Sequence, residues 1–375
     1  VSRTRGILWA SRDDTSPHPY LVASCRRAGE RVRDLRWAQA DGRRRPLGRV
    51  VQLGGRRGGR EHPMTVKLVG PRLLATFARA PEDVLVVYEL GLVGLFAGLA
   101  KVVRGRKVVS LVEGDYRHLG RTGTAGPKVA LRRLAARLVD VFVANNQLAR
   151  DYLVTTLKVP EDRVVVGWWL AGLPEELEAR RPAGADPVPD GVPLFVYAGR
   201  LVPPKGVDLL LEALATYRRE GGRGRLWVLG DGPDRDALAG LARRLGIDDS
   251  VAFLGPVDHH GLKGALEASH ALVFPTLQDF IGRVVVEALC TGTPVVVSPM
   301  TGAAATIVRD GVNGLVVDPR DRQALAGALG RVADPPTLAA LRRGVAQANQ
   351  PLTPDAAASV VLSAVALARQ GRPLR

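Results

Sequence analysis

Cysteine is almost absent. Cys25 and Cys290 are the only two in 375 residues, too few and too far apart for a disulfide framework or a cysteine-built zinc site. A reducing compartment, the cytoplasm, is the expected location. Lysine is scarce as well, 7 residues against 46 arginines, and aromatic residues make up only 5% of the chain. Long apolar runs are missing with one exception, Val84 to Val103, which has the length a bilayer asks for. Glu89 interrupts that run, and Tyr88-Glu89-Leu90-Gly91 reads as the break between a buried strand and a small-residue helix. At the start, Val1 to Arg5 is basic, but Gly6 to Ala10 is too short for the apolar region of a signal peptide.

What is present is an ordinary globular composition, 46% hydrophobic and 24% charged, long enough for two domains. The net charge of +16 is unevenly spread. Residues 1–185 hold 33 Lys and Arg against 18 Asp and Glu, net +15, whereas the remainder holds 20 against 19. A basic first half suits a partner molecule that is anionic or sits at an anionic membrane surface, with peripheral attachment there. The preference for Arg over Lys, with abundant Ala, Gly and Val, also has the look of a GC-rich coding bias. A nucleic-acid partner is not expected. The stretch Asp41 to Pro63, with Gly54-Gly55-Arg56-Arg57-Gly58-Gly59-Arg60, lacks interleaved aromatics and reads as a flexible surface loop.

In the carboxyl-terminal half short apolar runs alternate with helical patterns of 10–13 residues. Strands are expected at Pro193–Ala198, Arg225–Leu229, Val251–Leu254, Ala271–Pro275, Pro294–Ser298 and Gly314–Val317, with helices between them. The amino-terminal half repeats the theme with strands near Ile7–Trp9, Val84–Tyr88, Val108–Val112, Val139–Ala144 and Val164–Gly167. The fold class is therefore α/β, two doubly wound Rossmann-like domains facing across a cleft. The Pro-rich passage 182–193 reads as the linker. Domains are expected over 1–182 and 183–352, with a terminal helix in 353–375 packing back on the first.

Ligands of such sheets bind beyond the carboxyl ends of the strands, so the loops there are the candidates. Gly199 to Gly206 (GRLVPPKG) sets Arg200 and Lys205 five residues apart before a helix, a fork and a point charge suited to a diphosphate. Gly230-Asp231-Gly232-Pro233 permits close backbone approach to a ligand, though simple turn chemistry accounts for it equally well. Asp279 and Glu287 lie eight residues apart, the first before a helix and the second inside it. The backbone N–H groups near Phe280, Ile281, Gly282 and Arg283, at the helix start, are expected to be unpaired and to face an anion. Glu287, reaching past that anion, suits a ribose diol.

Taken together, these loops, followed by Gly292-Thr293-Pro294-Val295-Val296 and Gly311-Val312-Asn313-Gly314-Leu315, resemble the family 4 retaining glycosyltransferases of the GT-B fold. The resemblance covers roughly residues 190–335, and residues 1–180 share only topology. It implies a nucleotide-sugar site in the second domain. Arg200 and Lys205 would contact the diphosphate, Glu287 the ribose and Asp279 the hydroxyls of the transferred sugar. The base would lie near Phe253, Val257 and Leu262. The family usually has Glu at position 279, often Gly at 280 and Leu at 283, and frequently Glu where Pro204 stands. In the first domain Ser11 to His18 replaces the usual glycine pair, which leaves Asp13, Asp14 and His18 as acceptor-side candidates along with His118. Glu113 takes the place of a frequent histidine. It either supports the sugar or the acceptor hydroxyl in catalysis or is a structural acid.

The resulting expectation is a metal-independent, retaining transferase of hexose type, without a cofactor, in which the leaving diphosphate helps deprotonate the acceptor. A non-catalytic nucleotide-sugar-binding partner protein is the alternative from another class, and a nucleic-acid binder the third. Sugar, base, acceptor and oligomeric state are not set by these residues.

Overall fold

The computed structural model describes residues 4–11, 19–36, 48–53, 64–69, 71–88, 90–113, 127–279, 281–348 and 352–371. Asp13, Asp14, His18, Glu89, His118 and Phe280 lie outside them. The chain divides into two compact units. The first comprises residues 1–58, 62–171 and 354–375, and the second residues 59–61 and 172–353.

The first unit is built on a six-stranded parallel sheet in the order β2-β1-β5-β6-β7-β8. Its strands are β1 (Thr4–Ser11), β2 (Val32–Arg36), β5 (Glu82–Tyr88), β6 (Lys107–Val112), β7 (Val141–Ala144) and β8 (Val164–Val166). The central strands are continuous apolar runs, as burial on both faces requires. Val84 to Val87, Val108 to Val112 and Val141 to Ala144 are all buried. Around the sheet lie helices α1 (Pro19–Arg27), α2 (Pro71–Arg79), α3 (Leu92–Arg104), α4 (Pro127–Leu138) and the short α5 (Gln147–Asp151). The apolar run at 84–103 thus resolves into β5 and α3, and among the described residues no helix is long and apolar enough to cross a membrane.

Two features of this unit escaped the sequence reading. Asp41 to Pro63 was expected to be loop throughout, but Gly48–Leu53 is a strand, β3, paired antiparallel with β4 (Met64–Val69). Val50-Val51 is a short β-branched run and Thr65-Val66-Lys67-Leu68 alternates, as paired strands require, and the basic Gly-rich sequence between them masked the pair. The edge strand β2, VRDLR, is too short and charged to stand out.

The second unit carries β9 (Leu194–Ala198), α6 (Val207–Arg219), β10 (Arg225–Leu229), α7 (Arg235–Leu245), β11 (Val251–Gly255), α8 (His259–Ala268) and β12 (Ala271–Phe274). It continues through α9 (Arg283–Cys290), β13 (Val295–Val297), α10 (Gly302–Thr306), β14 (Gly314–Val316), α11 (Arg322–Ala333) and α12 (Pro335–Ala348). Its sheet runs β11-β10-β9-β12-β13-β14, all parallel. Strand order reverses between β9 and β12, and that reversal opens a crevice at their carboxyl ends.

The division between units falls at Ala171/Gly172, ahead of the Pro-rich passage. Residues 172–181 are held by the second unit: Arg180 N–H donates to the His260 carbonyl at 3.0 Å, and Lys263 Nζ to the Glu175 carbonyl at 2.8 Å. Gly264 lies so close to the Arg180 backbone that a Cβ there would collide with it. The chain then returns, because the last helix, α13 (Pro354–Gln370), belongs to the first unit and packs beside α1 and over β5 to β7. Arg369 of α13 bonds Glu30 at 2.6 Å and Asp83 at 2.9 Å.

Candidate active site at the strand-order reversal

The three loops singled out above meet at the carboxyl ends of β9, β10 and β12, locked by main-chain contacts. Leu201 N–H donates to the Asp231 carbonyl at 2.9 Å, and Leu277 N–H to the Pro204 carbonyl at 2.8 Å. The Pro204 carbonyl also accepts from the fully buried Thr276 hydroxyl at 3.0 Å. Glycine is required at the crossings. A Cβ on Gly230 would strike the Gly199 carbonyl, one on Gly232 the Leu201 carbonyl, and one on Gly206 the Pro275 carbonyl. Gly206 also has φ +66°, a left-handed conformation that caps the turn ahead of α6.

Lys205 and Asp279 come together at the centre. The Lys205 ammonium forms an ion pair with Asp279 Oδ2 and lies 5.4 Å from the centre of the Phe274 ring. Phe274 in turn stacks on Tyr197, whose hydroxyl donates to the Arg200 carbonyl at 2.9 Å. Burial first, and the nearby Asp279 charge second, push the Tyr197 phenol far above its ordinary range, so it stays a neutral donor. Sequence reasoning missed Tyr197, Phe274 and Thr276. Tyr197 and Phe274 lie inside strands, where aromatic character reads as core, and Thr276, in the loop just beyond β12, carried no signal of its own.

Asp279 closes its own turn as well. Its Oδ1 accepts from Ile281 N–H at 3.0 Å and Gly282 N–H at 2.7 Å. These two amides, expected to be unpaired for an anion, are therefore already bonded. One methylene fewer than Glu keeps the carboxylate within reach of its own backbone, the usual Asx-turn geometry. The loop is held from behind by Thr301, whose hydroxyl donates to the Ile281 carbonyl at 3.1 Å, and by Asp279 N–H bonded to the Met300 carbonyl at 3.3 Å.

Glu287 is buried within α9, and its Oε1 lies 3.9 Å from Arg283 one turn earlier. Arg200 is exposed at the mouth of the first loop. Phe253, within β11, and Val257, two residues beyond it, are half-buried, and Leu262 is buried in α8. In the first unit Glu113 is half-buried, immediately beyond β6, and is engaged in an interaction there.

Residues 184–346 match the family model of glycosyl transferases group 1. The matched stretch, which makes up most of the second unit, carries that family's sequence pattern. It is 34% identical over 265 residues to a D-inositol 3-phosphate glycosyltransferase of Acidothermus cellulolyticus, covering 66% of this chain and 55% of that protein. Over 156 residues it is 42% identical to the protein of the same name from Streptomyces griseus, covering 39% and 32% respectively. The matched stretches thus span a third to just over half of these relatives. Among solved structures, Anabaena Alr3699/HepE in complex with UDP and glucose superposes with a TM-score of 0.71 at 19% identity, covering 97% of this chain and 100% of that one. That likeness establishes the fold, that of the GT-B glycosyltransferases.

Proposed function

We propose that this protein is a group 1 glycosyl transferase that moves a hexose-type sugar from a nucleoside diphosphate to an acceptor with retention of anomeric configuration. The observation that carries this reading is the junction of Lys205, Asp279 and the Gly199–Gly206 loop at the strand-order reversal of the second sheet. A diphosphate placed there meets Lys205 and Arg200. UDP and glucose in the Anabaena neighbour, on the same fold, support a nucleotide-sugar donor.

Of the two candidate carboxylates, Asp279 is engaged with its own turn and with Lys205, and Glu287 lies beside Arg283, so no enzyme nucleophile is assigned. The acceptor oxygen attacks the anomeric carbon from the face the diphosphate leaves. The bond to the phosphate oxygen breaks, and the acceptor proton passes to that oxygen. Lys205 and Arg200 stabilise the charge that grows on the leaving group, a role that elsewhere falls to a divalent ion. Glu287 holds the ribose, while Phe253, Val257 and Leu262 flank the base. Asp279 meets the sugar hydroxyls once the donor draws Lys205 away from it. Glu113 serves the acceptor side, in the unit whose basic charge suits an anionic acceptor or one at an anionic membrane surface, with the protein attached there peripherally from the cytoplasm.

A donor panel incubated with purified protein and cell extract, read by mass spectrometry, tests the activity. NMR of the product anomeric proton tests retention. Absence of both transfer and donor hydrolysis across the panel would favour a non-catalytic nucleotide-sugar-binding protein.

A further inference from the structure

The apolar run at 84–103 is not fully accounted for by the core. Helix α3 packs between α2 and α4. Its inner side, Val93, Ala97 and Ala100, is buried in the first unit's core. Its outer side is not polar. Leu92 and Leu99 are 36% and 38% exposed, Val102 and Val103 are 68% and 69% exposed, and Leu134 of the adjoining α4 is 50% exposed. These are five of the seven exposed large hydrophobic residues among the described ones. Positions 92, 99, 102 and 103 follow helical spacing, so they form one stripe and not a scatter.

The charge on the three helices has one sign, and the acid nearest to them in sequence, Asp140 beyond α4, pairs with Lys101 at 2.9 Å. Helices α2, α3 and α4 contain no Asp or Glu, and their cations include Arg72, Arg79, Lys101, Arg104, Arg133 and Arg137. Arg72, Arg79 and Arg137 are exposed, with no ion-pair partner among the described residues. These helices forgo the stabilising pairs of opposite charge that neighbouring turns could carry. An exposed apolar stripe on helices whose only charges are basic fits a layer that is anionic outside and apolar within. It does not fit a second copy of the same face, which would oppose like charge with like.

We propose that the outer face of α2, α3 and α4 is the surface by which this protein docks on an anionic lipid bilayer. Val102 and Val103 enter the interfacial layer and the arginines meet lipid phosphates. The inference rests on the peripheral attachment proposed above and assigns it to one face. It does not depend on the sugar chemistry.

The test is sedimentation of the full chain with vesicles of 30% phosphatidylglycerol in phosphatidylcholine, and with pure phosphatidylcholine, at low and high salt. Binding is expected to the anionic vesicles alone and to weaken steeply with salt. Val102→Ser with Val103→Ser should lower affinity about tenfold. Arg72→Ala with Arg137→Ala should lower it by roughly fivefold per arginine. A control with the same charge loss, Arg243→Ala with Arg244→Ala on α7 of the second unit, should bind like the wild type. Melting curves confirm that each variant is folded, as exposed positions should allow. Equal loss in the control would overturn the face, because net charge alone would then drive binding. Wild-type-like binding by the valine variant would also overturn the face, leaving peripheral attachment intact. No binding by the wild type would remove both. So would a concentration-dependent dimer, abolished by the valine changes, in a protein that ignores vesicles.

Discussion

At position 279 the difference between Asp and Glu is one methylene, and it decides what the carboxylate does. Oδ1 closes the turn to Ile281 and Gly282 while Oδ2 neutralises Lys205. A diphosphate must compete with that carboxylate for the ammonium. Asp279→Asn keeps an acceptor for the two amides and removes the competing charge. It should therefore bind free nucleoside diphosphate more tightly by calorimetry, while transfer falls because a sugar contact is weakened. Asp279→Ala also leaves two amides without a partner and should melt earlier, by about 1–2 kcal/mol. Lys205→Ala and Arg200→Ala separate binding from chemistry. If both cations meet charge that develops as the bond breaks, each change should cut turnover by about 10²–10³ with a smaller rise in the donor Michaelis constant. Glu287→Ala should instead weaken donor and free nucleotide alike, by roughly 1.5–3 kcal/mol, since a ribose contact is equal in ground and transition states. Full transfer by Lys205→Ala, with normal nucleotide binding by the Glu287 variant, would move the donor site elsewhere.

Between elements, glycines and one arginine do the fastening, and both can be probed. Gly232→Ala places a methyl against the Leu201 carbonyl, in a loop crossing with no room to yield. A loss of about 1–3 kcal/mol in chemical denaturation is expected, with transfer falling alongside it. Arg369 ties α13 to the first sheet through Glu30 and Asp83. Burial alone would raise the Asp83 carboxyl, but the hydrogen bonds from Arg369 and from Gly6 N–H outweigh it and hold it below the usual range. A lowered folded-state value means stability that is present above the ordinary aspartate pKa and lost as pH falls through the folded one. Arg369→Gln should cost about 2 kcal/mol near neutrality, with the difference from wild type shrinking below about pH 4. Unchanged melting at pH 7 would show that the helix is held by its apolar face alone.

The same scale shows what could be read from the sequence. The strands of the second unit emerge within a residue or two, because their apolar runs are short and bounded by Gly and Pro. The loops that meet at the reversal are legible for the same reason. The β3–β4 pair is not, since its pattern is interrupted by a basic Gly-rich stretch. Nor is the unit boundary, because Pro-rich composition marks 182–193 whereas packing against α8 begins earlier. Tyr197 and Phe274 look like core in sequence, and only their place beneath Arg200 and Lys205 shows that they belong to the site.

At the scale of the whole molecule, the first unit is discontinuous and the second is inserted into it, ahead of α13. The proposed donor contacts all belong to the second. A ligand that binds a folded unit and not its unfolded chain stabilises that unit by mass action, about 2.7 kcal/mol at a hundredfold excess over its dissociation constant. Nucleoside diphosphate should therefore slow amide hydrogen exchange first in peptides from β9, β10 and β12, with smaller effects in β5 to β7. If Lys205 and Arg200 do the work of a divalent ion, as proposed, protection should be equal in excess EDTA and in magnesium, and absent in Lys205→Ala. Transfer activity should survive EDTA in the same way. Protection that appears only with magnesium or manganese would overturn the metal-independent mechanism, and would make the carboxylate of Asp231, in the loop after β10, the first candidate for a ligand.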